Sequence, residues 1–282
     1  MSEPKDNRKL FFGLFIFPLV IAIGMATLLC SVVFLTHEKE TPETLIADIK
    51  KSSPGKRWQK AFELSNELNR IPKNKAGETV QREISQILRD NTYDAKTRGY
   101  MALALTHFDS PEALSALRAA LTDPDDDVRL FVLWALGVVR DTGSVRDILP
   151  YLKSASPDIR KTSAYVLGAI GDPAAAPELR KSLNDPVSDV RWNAALALAR
   201  VHDDSGLSIL LGMMDREALS ERHELDEAQI EAVMINAAKG LALIRKPEAT
   251  KILGSVSRGD KNMKVRQAAL DALNFQTEKR LS

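Results

Sequence analysis

One cysteine in 282 residues, Cys30, rules out a disulfide within the chain and any zinc site built on several thiolates. Histidine is nearly as scarce. His37, His107, His202 and His223 include no two at metal-ligand spacing. The glycine-rich phosphate loops, the dinucleotide fingerprint and the nucleophile elbow of serine hydrolases do not occur. An excess of either charge is missing too: the net charge is +1, and beyond Leu35 acidic and basic residues are equal in number. Nucleic-acid binding relies on a basic stripe that displaces counterions from phosphates, so a balanced surface argues against it. No cofactor, no metal and no nucleic acid is expected.

What the chain has is one long apolar run and a repeat. Residues 10–35 contain no Asp, Glu, Lys or Arg. About 20 apolar residues are enough to cross a bilayer, so the run predicts a transmembrane helix and a lipid partner. A cleaved signal peptide would have an apolar region of about 7–15 residues. Residues 1–9 form a short basic tail with Lys5, Arg8 and Lys9, and 36–41 a linker. Positive charge tends to stay cytoplasmic. The expectation is a single-pass membrane protein with a cytoplasmic N-terminus. The rest would be extracytoplasmic, periplasmic if the source is a Gram-negative bacterium.

The repeat occupies 42–282. Asp127-Val-Arg129, Asp158-Ile-Arg160 and Asp189-Val-Arg191 recur at one constant step, and the same step taken back from Arg129 lands on Arg98. Looser copies start at Arg57, Met234 and Arg266. Two turns into each copy stands Leu64, Leu105, Leu136, Leu167, Leu198, Leu241 or Leu273. One turn into it stand Ala61, Ala102, Leu133, Ala164, Ala195, Ala238 and Leu270. Val or Ile usually precedes the start. These spacings put the three columns on one helical face. A second helix fits between copies, with Leu117, Ile148, Leu179 and Leu210 on the same step. Turn residues such as Gly171-Asp172-Pro173 separate the two. A helix pair this small cannot bury its own core, so units must stack into an all-α solenoid of six to seven repeats. Insertions interrupt the step near 69–78 and 216–230. Insertions in solenoids tend to emerge as loops, often on the binding face.

The pattern D-V-R-x₃-A-x₂-L-G, followed by G-D-P and a second helix, resembles HEAT repeats, in particular the short phycobilisome-lyase-like subtype. That resemblance implies a right-handed α-solenoid of stacked helix pairs. It also implies an inter-repeat ladder of Asp127, Arg129, Asp158, Arg160, Asp189 and Arg191. Its functional implication is a protein-interaction scaffold, an accessory subunit of a membrane-associated complex. A bilin-lyase-like or other ligand-handling role is the alternative. HEAT-like hydroxylases hold iron with several His-Glu pairs, whereas the repeat region here has only His223-Glu224. The acidic string Asp123-Pro-Asp-Asp-Asp127 lacks the spacing of a calcium loop and reads as a solvated turn that caps a helix.

Partner contacts are sought on the second helices. One step off the core, a column reads Ala120, Tyr151, Ser182, Met213, beside Arg118, Arg146 and Arg180. Tyr151, Met213 and these arginines are the candidate partner-binding residues. The other reading of Tyr151 and Met213 is packing against neighbouring repeats. On the first helices, Trp58, Phe62, Trp134, Tyr165 and Trp192 are expected to pack between units.

Overall fold

The computed structural model describes residues 17–36, 40–73, 75–222 and 224–281, and within these no strand occurs. Sixteen α-helices follow in order: α1 Phe17–Thr36, α2 Pro42–Lys51, α3 Pro54–Arg70, α4 Gly77–Arg89, α5 Ala95–Leu105, α6 Pro111–Ala120, α7 Asp126–Val139, α8 Val145–Ile148, α9 Pro157–Ile170, α10 Ala176–Ser182, α11 Ser188–Arg200, α12 Leu207–Gly212, α13 Arg216–Ser220, α14 Glu227–Ala242, α15 Pro247–Gly259 and α16 Met263–Leu281. The repeat starts fall in α3, α5, α7, α9, α11, α14 and α16, whose neighbours in this series pack directly on one another. They form one row. The intervening helices α4, α6, α8, α10, α12 and α15 form the other.

Stacking is set by the columns. Leu64, Leu105, Leu136, Leu167, Leu198 and Leu241 are fully buried, as are Ala61, Ala102, Leu133, Ala164, Ala195 and Ala238. The small residues let adjacent helices of the row approach. A Cβ placed on Gly168 would stand 2.6 Å from Ala197 Cα in the next repeat. In the last repeat the columns loosen, and Leu270 is exposed. Short polar residues start the helices: Asp94, Ser110, Ser156, Asp215 and Asp226 each accept a backbone N–H of the first turn. Asp127, Asp158 and Asp189 lie in the first turn, where a carboxylate suits the positive end of the helix dipole. Helices α7 and α9 end on left-handed residues, Arg140 and Gly171, and His202 takes the same conformation at the equivalent place in the next repeat.

The apolar run requires a correction. Its residues 10–16 lie outside the described ones, as do the basic tail and residues 37–39 of the linker. No helix among the described residues is long and apolar enough to cross a membrane. The transmembrane assignment, the lipid partner and the topology drawn from it are therefore withdrawn. Leu19, Val20, Ile21 and Ile23 of α1 are exposed.

The two insertions fold back on the solenoid. Segment 216–230 contains α13, and Arg216 clamps Asp260 with Nε and Nη2 at 2.9 and 2.8 Å while Nη1 reaches Glu227 at 2.6 Å. Arg222 lies over the Trp192 ring and donates to Ser188 Oγ at 2.8 Å. His223, of the His-Glu pair, lies outside the described residues. The 69–78 segment is pinned by His107. This ring is buried and hydrogen-bonds the Pro72 carbonyl, and its Nε2 has no partner among the described residues.

Burial, with Lys73 nearby, depresses the proton affinity of His107. The folded protein then binds this proton less readily than the unfolded chain, whose histidines titrate near pH 6.5. Stability from the neutral ring is complete above that value and falls as pH drops below it. The loss approaches about 1.4 kcal/mol per pH unit at most. Urea titrations of wild type and His107→Gln at about pH 7 and 5 should show a steeper acid loss in the wild type. Parallel losses would place the ring in water.

Candidate protein-docking surface

Arginines tie the repeats together, but with partners other than the expected ones. Arg160 clamps Asp185 through Nε and Nη2 at 2.7 and 3.0 Å, and its Nη1 donates to the Ser154 carbonyl at 2.9 Å. The guanidinium holds the Asp185 carboxyl below the usual carboxylate range. Arg98 pairs with Asp123 through Nη1, while its Nε donates to the Tyr93 carbonyl, and both side chains of the pair are only 6% exposed. Arg129 and Arg191 lack this rung, because Ser154 and Arg216 stand where the aspartate would be. They keep the carbonyl clamp, on Asp123 and Asp185 respectively, and Arg266 repeats it on Asp260. The ladder therefore uses Asp123 and Asp185. Asp127, Asp158 and Asp189 are exposed; Asp158 pairs within its helix, with Lys161 at 2.9 Å, and the same lysine reaches Asp189 of the next repeat at 4.0 Å. The physical reason is position: Asp123 and Asp185 close the loop facing the arginine, whereas the Asp-x-Arg aspartates are first-turn residues pointing out. For the same reason the acidic string is not wholly solvated, since Asp123 is buried.

The second helices carry a parallel set. Arg118 clamps Asp141 with both bonds at 2.6 Å, and this hydrogen bonding raises the guanidinium's proton affinity. Arg180 takes Asp203, its Nε at 2.9 Å. Between them Leu149 stands where the arginine would be, so this set too skips a repeat. Both sets recur at every second unit, over columns that recur at every one. Asp123/Asp185 and Arg118/Arg180 carry that doubled period in the sequence, and a reading unit by unit passes over it.

These contacts decide where the five sequence-predicted partner residues stand. Met213 is 2% exposed. Tyr151 is half-buried, its hydroxyl donates to the Leu121 carbonyl one repeat back, and burial raises its proton affinity. Arg118 and Arg180 are engaged with their aspartates. Arg146 is exposed and makes no ion pair among the described residues. The structure thus does not bring the five together as one open column.

The open surface is on the first-helix row. Counting from each repeat start, positions +2, +5 and +9 share one helical face. Position +5 reads Phe62, Leu103, Trp134, Tyr165, Leu196, Lys239, and position +9 continues from Val138 through Ala169 to Arg200. Phe62, Trp134 and Val138 are 45%, 47% and 57% exposed. The aromatic rings run from repeat to repeat: Phe62 meets Tyr100, Tyr100 meets Phe131, each with centroids 5.4 Å apart. Trp134 stacks on Tyr165 at 5.2 Å with planes 7° apart, and Arg200 stands 5.5 Å from the Tyr165 centroid. The expected packing between units is real for these rings, yet it leaves broad faces in water. From α3 to α14 no carboxylate occupies any of the three positions, but one turn earlier on the same stripe stand the exposed Asp127, Asp158 and Asp189. Beyond Lys239 and Leu243 a groove of about 280 Å³ continues to Ala268, Asp271, Ala272 and Phe275. The described residues contain no cluster able to hold a metal ion.

No curated protein sequence matches the chain. Among solved structures, the complex of CpcE and CpcF of phycocyanin lyase from Nostoc sp. PCC7120 has a similar fold. The TM-score is 0.55 and the identity 17%, over 86% of this chain and 96% of that one. A designed armadillo repeat protein matches at TM-score 0.40 and 14% identity, over 84% of this chain and 100% of that one. Human deoxyhypusine hydroxylase matches at 0.36 and 18%, over 84% and 89%. Only the first score speaks for a shared fold, and at so low an identity for fold alone. The sequence pattern of the family described as HEAT repeats matches residues 82–150 and 145–228. With the stacked helix pairs and the repeating arginine clamps, that match over more than half of the chain makes it a member of the HEAT-repeat family.

Proposed function

We propose that the chain is a protein-interaction scaffold, an accessory subunit that docks its partner on the first-helix row. The observation that carries this is the aromatic face across α3 to α9, held rigid by inter-repeat stacking and left open to water. A monomer rarely keeps a contiguous apolar patch exposed without a use for it. Tryptophan and tyrosine on rigid elements lose little conformational entropy on binding and dominate interface energetics. The fold likeness to a protein seen as a two-chain complex agrees with a pairing role. The structure of the second row agrees as well, since Arg118 and Arg180 are already engaged with aspartates.

The test is site-specific photocrosslinking in cells. A photoreactive phenylalanine at position 134 should give one discrete, reproducible adduct, and the same probe at Arg146 should give none. An adduct from 146 alone would move the docking site to the second-helix row. A ligand-handling role, as in bilin lyases, is the second reading, and it draws only on that fold likeness. It would show as a shifted absorption band when the chain is mixed with free bilin.

A further inference from the structure

The buried core does not run unbroken through the solenoid. Among the described residues it falls into two clusters that divide within α11: Ala194, Ala197 and Leu198 belong to the first, Ala195 and Ala199 to the second. Helix α11 is fastened to the repeat before it by two arginine clamps, Arg160 on Asp185 and Arg180 on Asp203. One repeat further on, Arg216 stands at the position of Asp185, and Leu211 and Lys246 stand at those of Arg180 and Asp203. Neither clamp is therefore made between α11 and α14. A cavity of about 320 Å³ opens at the same junction, between His202 and Asp204 after α11 and Ala242, Lys246 and Gln276 beyond it. Two-bond clamps fix direction, whereas apolar contact is non-directional and lets packed helices shift. The α7–α9 junction also lacks the clamps, but there the core is continuous and Trp134 stacks on Tyr165.

What spans the α11–α14 junction on the outside is releasable. Leu219 of α13 is buried in the second cluster and Arg216 clamps Asp260, so α13 is part of the C-terminal body. From its end Arg222 reaches back to α11, donating to Ser188 Oγ at 2.8 Å and lying 4.9 Å over the Trp192 ring. Arg222 also holds Glu224 at 2.6 and 3.0 Å, so letting go of Ser188 leaves the guanidinium paired. The other bridge, Lys246 to Asp204 at 2.8 Å, is half exposed on both sides. Exposed pairs of this kind add little stability. We infer that the α11–α14 junction is a hinge, on which the body α13–α16 swings against α2–α11 when Arg222 leaves Ser188 and Trp192. The swing turns the groove at Leu243 and Phe275 relative to Trp134 and Tyr165, so the shape of the first-helix row depends on the Arg222 latch. The hinge stands whatever docks on that row.

Double electron–electron resonance on the full chain tests the hinge. Nitroxides are attached at Pro177→Cys with Lys251→Cys, exposed positions that straddle the junction, and at Ser115→Cys with Pro177→Cys, which enclose the α7–α9 junction instead. Both carry Cys30→Ser. Each pair spans two helix spacings, about 20 Å. The straddling pair should give a distance distribution about twice as broad as the control. Arg222→Ala, a change at a partly exposed side chain, should broaden the straddling pair further and leave the control as it is. Leu211→Arg with Lys246→Asp, which supplies the missing clamp, should narrow the straddling pair to the control width. Equal widths for the two pairs overturn the hinge. So does a straddling width that Arg222→Ala leaves unchanged, or one that broadens equally in the control. If the clamp variant loses its helical circular dichroism, the Arg222→Ala comparison decides.

Discussion

Leu136→Asp is expected to remove most of the stability of the central repeats, whereas Trp134→Ala, two residues away on the same helix, should leave the fold in place. Leu136 is fully buried in the leucine column between repeats. The substitution forfeits the apolar burial, about 1.5–3 kcal/mol. It also places a carboxylate where nothing polar can receive it. That group must stay charged and unpaired, take up a proton, or force the helices apart, at a further cost of several kcal/mol. The sum rivals the whole stability of an ordinary domain, about 5–15 kcal/mol. Because repeat stability is passed between neighbours, the damage should spread along α5 to α9 and broaden the unfolding transition. Trp134 is about half in water. Its removal costs ring stacking on Tyr165, about 0.5–1.5 kcal/mol. Urea unfolding followed by circular dichroism distinguishes the two. Equal midpoints for Leu136→Asp and Trp134→Ala would mean that the leucine column is not the inter-repeat seam.

How far the sequence announces this structure depends on the scale of the interaction. The buried columns are periodic and made of residue types with a single use, so Ala164, Leu167 and Leu198 declare their place. The ladder is less open to such reading. Asp127, Asp158 and Asp189 share the arginine's own period and invite pairing with it, yet a first-turn residue points away from the next repeat. The true acceptors, Asp123 and Asp185, sit in loops and occur in alternate repeats. Their pairing depends on which way a loop turns, which a one-dimensional pattern does not encode. The same holds for Arg118 and Arg180, which read as free surface cations until Asp141 and Asp203 are seen to face them. The docking face is legible in hindsight, as aromatic residues recurring at +2 and +5 of successive first helices. The membrane span rested on the length of an uninterrupted apolar run, whereas no helix among the described residues is long and apolar enough to cross a membrane.

Asp123→Ala is expected to be the most damaging of the surface-loop substitutions in the acidic string, at about 3–5 kcal/mol, with Asp126→Ala within about 0.5 kcal/mol of wild type. Both are aspartates three residues apart in a stretch that composition alone calls solvated. Asp126 pairs only with Arg129 on its own helix and is itself exposed. Asp123 receives Arg98 from the preceding repeat and the Asp125 N–H at 2.9 Å, and its backbone carbonyl takes Arg129. Removing its side chain strands a guanidinium that is 6% exposed and still bonded to Asn91 at 2.9 Å and the Tyr93 carbonyl at 3.2 Å. An uncompensated buried cation is the source of the loss, so the loss should shrink when the cation goes as well. Arg98→Met with Asp123→Leu should recover much of the stability that Asp123→Ala gives up, because apolar groups of similar volume can replace a buried pair at little cost. A double variant as unstable as Asp123→Ala would show that the carboxylate's bond to the loop, and not the buried arginine, governs this rung.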